Sequence, residues 1–346
     1  MAHILDEIRE QPDVLERTLR LERRGVERLK ARLSARPPRL IVLVARGTSD
    51  NAALFGRYLL EITTGIPVSL AAPSIFTLYK ASLDFSDTLV VAISQSGEST
   101  DTNLVLERAR TAGALTAGIT NQSSSTLAGL ADHTFFVHAG RERSIAATKT
   151  YTGQLLMLYL LAYALGAKVG PDDLKRLPEW TAAALKMENE IAGRASRYRF
   201  MEKAVVVGRG LNYATAFEFG LKLMETCYVI AERFSSADFL HGPIAMVGAS
   251  FPVFLFAPSG VTWASNAQML GKLGAIGAET LLISDRSNAV ARKASPEAVV
   301  LPARMQELFT PIPYIVPAQL FAAYLSVEKG LNPDSPRGLT KVTRTM

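Results

Sequence analysis

A helical rhythm comes first. Leu15, Leu19, Val26, Leu29 and Leu33 fall three, four or seven residues apart, which lines one face of an α-helix, and Pro37-Pro38 ends the pattern. The next apolar segment is of another kind. Leu40-Ile41-Val42-Leu43-Val44 is apolar at every position, without the alternation of a half-exposed strand, as in a parallel sheet covered on both faces. It leads into a polar turn, Arg46-Gly47-Thr48-Ser49, and an apolar-periodic helix. The unit then recurs as Leu89–Ile93, a Ser/Gly turn and a helix over 103–112; as Leu115–Thr120, a turn and a short helix; and as Phe135-Phe136-Val137.

The second half repeats the first in register. Ala204–Val207 leads into Gly208-Arg209-Gly210, and Phe251–Phe256 leads into Ser259-Gly260. Arg209 follows Arg46 by 163 positions, Gly260 follows Gly97 by 163 and Val300 follows Val137 by 163, while Ile283-Ser284-Asp285 follows Ile119-Thr120-Asn121 by 164. An offset of 163 or 164 in all four strand-and-turn units predicts a duplicated βα domain. The expected division is an N-terminal helical region over 1–36, a first domain over 37–169, a linker helix over 170–200, a second domain over 201–330, and a polar tail over 331–346.

Composition narrows the class. At 346 residues and 48% hydrophobic content, each half can bury a core of its own. The single cysteine, Cys227, leaves no intramolecular disulfide and no thiolate metal cluster, and is expected to be a small buried hydrophobe. With no apolar leader near Met1, a cytoplasmic location is expected. The net charge of +6 is half accounted for by the first 39 residues, where ten Lys/Arg face seven Asp/Glu. So mixed a surplus reads as a solvated helix face, so no nucleic-acid partner is expected. Three uncharged or apolar stretches, Ile244–Gly271, Leu308–Val327 and Leu155–Leu165, are broken by proline and glycine or too short to span a bilayer, and are read as buried core. Trp180 and Trp263 are read as packing residues. His3, His133 and His138 show no ligand spacing, so neither a metal nor another cofactor is expected.

Candidate chemistry lies in the turns and on one helix. Ser94-Gln95-Ser96-Gly97-Glu98-Ser99 joins a buried strand to a helix, where ligands of open α/β sheets bind and free N–H groups meet anions. The same residues would also make a well-capped turn with no ligand. Arg46-Gly47-Thr48-Ser49, in the corresponding place after the first strand, favours the anion reading. Nucleotide fingerprints fail: Gly208-Arg209-Gly210 has Tyr213 where the third glycine belongs, and no phosphate-binding GxxxxGK[ST] loop occurs. Glu218, Lys222 and Glu225 share one helix face at i, i+4 and i+7, either as a solvated ion-pair ladder or as a paired, buried set. His241-Gly242-Pro243 offers a side chain that exchanges protons near neutrality.

Together these residues resemble the sugar isomerase (SIS) domain family, in particular the isomerase half of glucosamine-6-phosphate synthase and the SIS-type glucosamine-6-phosphate deaminases. The resemblance runs from about Leu40 to the C-terminus. It implies an α/β fold of two tandem SIS domains, each a parallel-sheet αβα sandwich of flavodoxin-like type. It implies that Arg46, Gly47, Thr48, Ser49, Ser94, Gln95, Ser96, Gly97 and Ser99, with Ile145 and Ala147, contact a small-molecule sugar phosphate. It further implies that Glu225 moves a proton between C1 and C2 beside Lys222 and Glu218, that His241 opens the sugar ring from a neighbouring subunit of a homodimer, and that Lys341 forms a Schiff base with the ketose.

The chain departs from the synthase pattern at three points: Arg46 stands where Cys is usual, Ala147 where Ser is, and Leu240 where Lys precedes the His-Gly-Pro. Residue 2 is Ala rather than a catalytic cysteine, so no glutaminase half is expected. These departures imply hydrolytic deamination of glucosamine 6-phosphate to fructose 6-phosphate and ammonia. The alternatives are an ammonia-using synthase, a deglycase for fructosamine 6-phosphate, and a non-catalytic sugar-phosphate sensor.

Overall fold

The computed structural model describes residues 2–295 and 297–341. They fall into two compact units: 10–142, 147–178 and 338–341 form the first, and 2–9, 143–146 and 179–337 the second.

The first unit is built on a five-stranded parallel sheet of β1 (Leu40–Val44), β2 (Val68–Leu70), β3 (Thr88–Ile93), β4 (Leu115–Thr120) and β5 (His133–Phe136), in the order 2-1-3-4-5. Every residue of β3 is buried, as its unbroken apolar run requires. Helix Gln11–Ala35 buries Val14, Leu15, Val26, Leu29 and Leu33 and stops short of Pro37. Helix Lys149–Ala164, which holds most of Leu155–Leu165, is buried on nearly all sides.

The second unit repeats this plan with β6 (Lys203–Gly208), β7 (Ile230–Ser235), β8 (Pro252–Phe256), β9 (Glu279–Asp285) and β10 (Val299–Leu301). Its order, 10-9-8-6-7, is the same topology read from the other edge. The fold is thus two parallel α/β sheets of flavodoxin-like connectivity, and the duplication seen in the offset of 163 is a duplication of topology.

Two expectations change. The segment expected as one linker helix is three, Pro171–Leu174, Leu177–Leu185 and Glu188–Arg197. Pro171 and Pro178 each stand in the first turn of a helix, where a missing N–H costs least. Of Ile244–Gly271 only β8 is buried throughout, while Met246 and Val261 are 46% and 95% exposed. Leu308–Val327 is buried as expected, chiefly as helix Pro311–Glu328. No helix among the described residues is long and apolar enough to cross a membrane.

The first part of the polar tail, 331–337, is anchored within the second unit. Asp334 accepts from the backbone N–H groups of His3 and Ile4 at 2.8 and 2.7 Å and from Ser144 Oγ at 3.0 Å, so an acid closes the N-terminus of helix His3–Arg9. Asp334→Ala should therefore lower unfolding stability by about 1–2 kcal/mol, the scale of a lost cap, measured by denaturant titration.

Candidate active site

In the first unit the strand order reverses between β1 and β3, so the turns after these two strands border the crevice where open α/β sheets take ligands. Both turns come from the predicted set. After β1, Gly47 has φ +59° and precedes helix Thr48–Thr64, with Ser49 Oγ accepting from Gln154 at 3.0 Å. After β3, the Gly97 N–H donates to Ser94 Oγ at 3.1 Å and the Glu98 N–H to Ser96 Oγ at 3.2 Å. Gly97 adopts φ +68°, and a Cβ there would lie 2.2 Å from Ser125 Oγ, so only glycine fits. Ser49, Ser94 and Gly97 are buried, Thr48, Gln95, Ser96 and Ser99 are half-buried, and Arg46 is exposed. Arg46 is tied to the buried Asp101 at 2.7 Å.

Lys341 meets this unit through Glu142, its Nζ 2.8 Å from the carboxylate. Glu142 is buried and also accepts from the Thr148 and Thr150 N–H groups at 3.0 and 3.2 Å and from Thr150 Oγ1 at 2.8 Å. Burial alone would raise its pKa. The Lys341 ammonium and the hydrogen bonds from Lys341, Thr148 and Thr150 outweigh that and hold it below the ordinary carboxylate range. A depressed carboxyl contributes stability above its unfolded pKa and loses it as pH falls through the folded one. The stability difference between the wild type and Glu142→Gln should accordingly be full at neutral pH and shrink below about pH 4, read as thermal midpoints across a pH series. Ala147 is half-buried in this unit, two positions before helix Lys149–Ala164. Ile145 belongs to the second unit, where its N–H donates to the Asp334 carbonyl at 3.0 Å.

The second unit carries the charged triad on helix Asn212–Cys227. Lys222, 1% exposed, lies 3.3 Å from Glu218 and 2.5 Å from Glu225. Burial would depress the lysine, but the two carboxylates outweigh it and hold the ammonium above its ordinary pKa. Glu218 is fully enclosed, whereas Glu225 keeps 22% of its side chain exposed. The set is therefore a buried pair with one carboxylate reaching solvent, not a solvated ladder. His241 ends helix Ser236–Leu240, exposed, and Gly242 follows at φ +146°. Cys227 is buried, its thiol pushed up to about 11 by burial.

Sequence reasoning missed Glu142, Asp101 and Gln154. Glu142 lies 199 residues from Lys341, so no local pattern could have paired them. Among the described residues, no cluster of three or more His, Cys, Asp or Glu could hold a metal ion.

Comparison with known proteins agrees with this architecture. The SIS domain family matches residues 36–164 and 200–329. The Pyrococcus horikoshii glutamine–fructose-6-phosphate aminotransferase (isomerizing) is 38% identical over 308 residues, 87% of this chain and 51% of that protein. The chain thus spans about half the length of that relative. The C-terminal domain of glucosamine-fructose-6-phosphate aminotransferase from Francisella tularensis superimposes with a TM-score of 0.86 at 28% identity, covering 97% of this chain and 98% of that one. A Silicibacter pomeroyi DSS-3 protein, provisionally described as a phosphosugar isomerase, gives a TM-score of 0.86 at 32% identity over 96% of this chain and all of its own. With the family matched in both repeats and the topology duplicated, the chain belongs to the SIS domain family.

Proposed function

We propose that the protein is a cytoplasmic aminosugar-phosphate deaminase and isomerase that converts glucosamine 6-phosphate and water to fructose 6-phosphate and ammonia. The observation that carries the reading is the Glu218–Lys222–Glu225 set. A carboxylate beside an enclosed ammonium, with part of its side chain open to solvent, suits a group that takes a proton from carbon and returns it.

In this reading the Ser94–Ser99 and Arg46–Ser49 turns, with Ile145 and Ala147, hold the phosphosugar, and phosphate binding supplies orientation. The exposed His241 opens the ring in a partner copy of a homodimer. Glu225 removes the C2 proton of the open-chain aldehyde and delivers it to C1, which leaves an imine at C2. Lys222 offsets the negative charge that develops along the C1–C2 enolamine. The Lys341 amine then exchanges with the imine, releasing ammonia and forming its own Schiff base, and water hydrolyses that link to free the ketose.

The test is ammonia release from glucosamine 6-phosphate coupled to fructose 6-phosphate formation. Equal appearance of both products is expected, with borohydride trapping a ketose adduct that Lys341→Ala lacks. Binding of the sugar phosphate without turnover would overturn the reading in favour of a sensor. A second reading, synthesis from fructose 6-phosphate and ammonia by the same residues run backwards, is favoured by the 38% identity to the aminotransferase. Net synthesis under excess ammonia distinguishes it.

A further inference from the structure

The two repeats differ at the place where the first is proposed to hold phosphate. In the second unit the strand order reverses between β6 and β8, and the turns after them contain Gly210 and Gly260, the counterparts of Gly47 and Gly97 at the offset of 163. The backbone matches at the first pair, where Gly47 and Gly210 have φ +59° and +58°, and differs at the second, where Gly97 has φ +68° and Gly260 φ +149°. Thr262 takes the place of Ser99 before the following helix, Trp263–Ile276.

This second cradle is already filled by a carboxylate of the same chain. Glu307 Oε1 accepts from Thr262 Oγ1 at 2.6 Å, and Oε2 accepts from the Thr262 N–H at 3.3 Å. A Cβ on Gly260 would lie 2.2 Å from Oε2, so the glycine is what admits the carboxylate, and Oε1 stands 3.9 Å from where a Gly210 Cβ would be. Glu307 is held there by its backbone: its carbonyl accepts from Thr310 Oγ1 at 2.8 Å, and that hydroxyl in turn accepts from Asn212 Nδ2 at 2.7 Å. The chain segment that carries it precedes helix Pro311–Glu328, as the segment with Ile145 and Ala147 precedes helix Lys149–Ala164 in the first repeat.

We propose that Glu307 is a built-in anion that closes the second repeat to phosphate monoesters, so that each chain takes one phosphosugar. A carboxylate and a phosphate seek the same donors at such a turn, and two anions cannot share them. The inference rests on the reading of Ser94–Ser99 as a phosphate loop for its count of one. It does not need that reading for the closure itself.

The test counts inorganic phosphate bound per chain by equilibrium dialysis, with folding checked by circular dichroism. One phosphate is expected for the wild type and two for Glu307→Ala. Glu307→Ser serves if the alanine variant does not fold, and Glu307→Gln, which keeps the shape and removes the charge, should show weaker second binding. Two phosphates on the wild type, or no gain in any folded variant, overturns the proposal. Adding Ser94→Ala and Ser96→Ala to Glu307→Ala should remove one phosphate and leave the other. A wild type that binds none and a Glu307 variant that binds one would defeat the phosphate-loop reading and leave the closure standing.

Discussion

Glu225→Gln should lower turnover of glucosamine 6-phosphate by about 10²–10⁴-fold, the range that a positioned acid–base group supplies, with little change in KM. The carboxamide keeps the shape of the side chain and an oxygen for the Lys222 ammonium, which stands 2.5 Å from Glu225 in the native chain. It cannot accept a proton from carbon. Because Glu225 is part-exposed and Glu218 remains beside Lys222, the fold should persist, so lost turnover would report chemistry. Incorporation of solvent deuterium at C1 should fall with turnover. A variant that retains full activity would remove Glu225 from the reaction.

Lys222→Met should cost far more in stability. The substitution keeps an unbranched apolar stem of comparable size but removes the ammonium that stands 3.3 Å from the fully enclosed Glu218. Removing one partner of a buried pair costs about 3–5 kcal/mol, because the remaining charge must stay desolvated or take a proton. The sign with pH follows: protonation relieves an enclosed carboxylate that has lost a neighbouring ammonium, so the deficit should shrink as pH falls. In the native chain the Lys222 ammonium lies above its ordinary pKa, and its contribution is lost only as pH rises through that raised value. Adding Glu218→Leu should restore much of the loss, since the enclosed carboxylate is then removed together with its ammonium. An unfolding midpoint that does not move on Lys222→Met would mean that water reaches Glu218 and the pair contributes little.

Much of the fold was legible because it is written locally. Five consecutive apolar residues at Leu40–Val44 and a fully buried β3 can only be strands covered on both faces, and turns repeating at a fixed offset declare the duplication. Two of the edge strands, β2 and β7, were not legible. β7 carries Glu232 and Arg233 and alternates irregularly between burial and exposure, while β2 is three residues long. Charge on an edge strand guards against unwanted pairing and at the same time hides the strand from a reading by apolar pattern. The linker was misread as one helix because its charged pattern is helical almost throughout, and only the packing of three short helices shows where it breaks.

The site divides in the same way. The sequence alone was enough to place Ser94–Ser99 and Arg46–Ser49 in strand-to-helix turns and Glu218, Lys222 and Glu225 on one helix face, since both follow from the period of the backbone. Only the tertiary structure decided that Lys222 is enclosed between its acids, that Lys341 rests on Glu142 and that Glu307 fills the turn of the second repeat. The physical reason is that a charge's protonation, pairing and accessibility depend on what surrounds it, and here those neighbours come from up to 199 residues away.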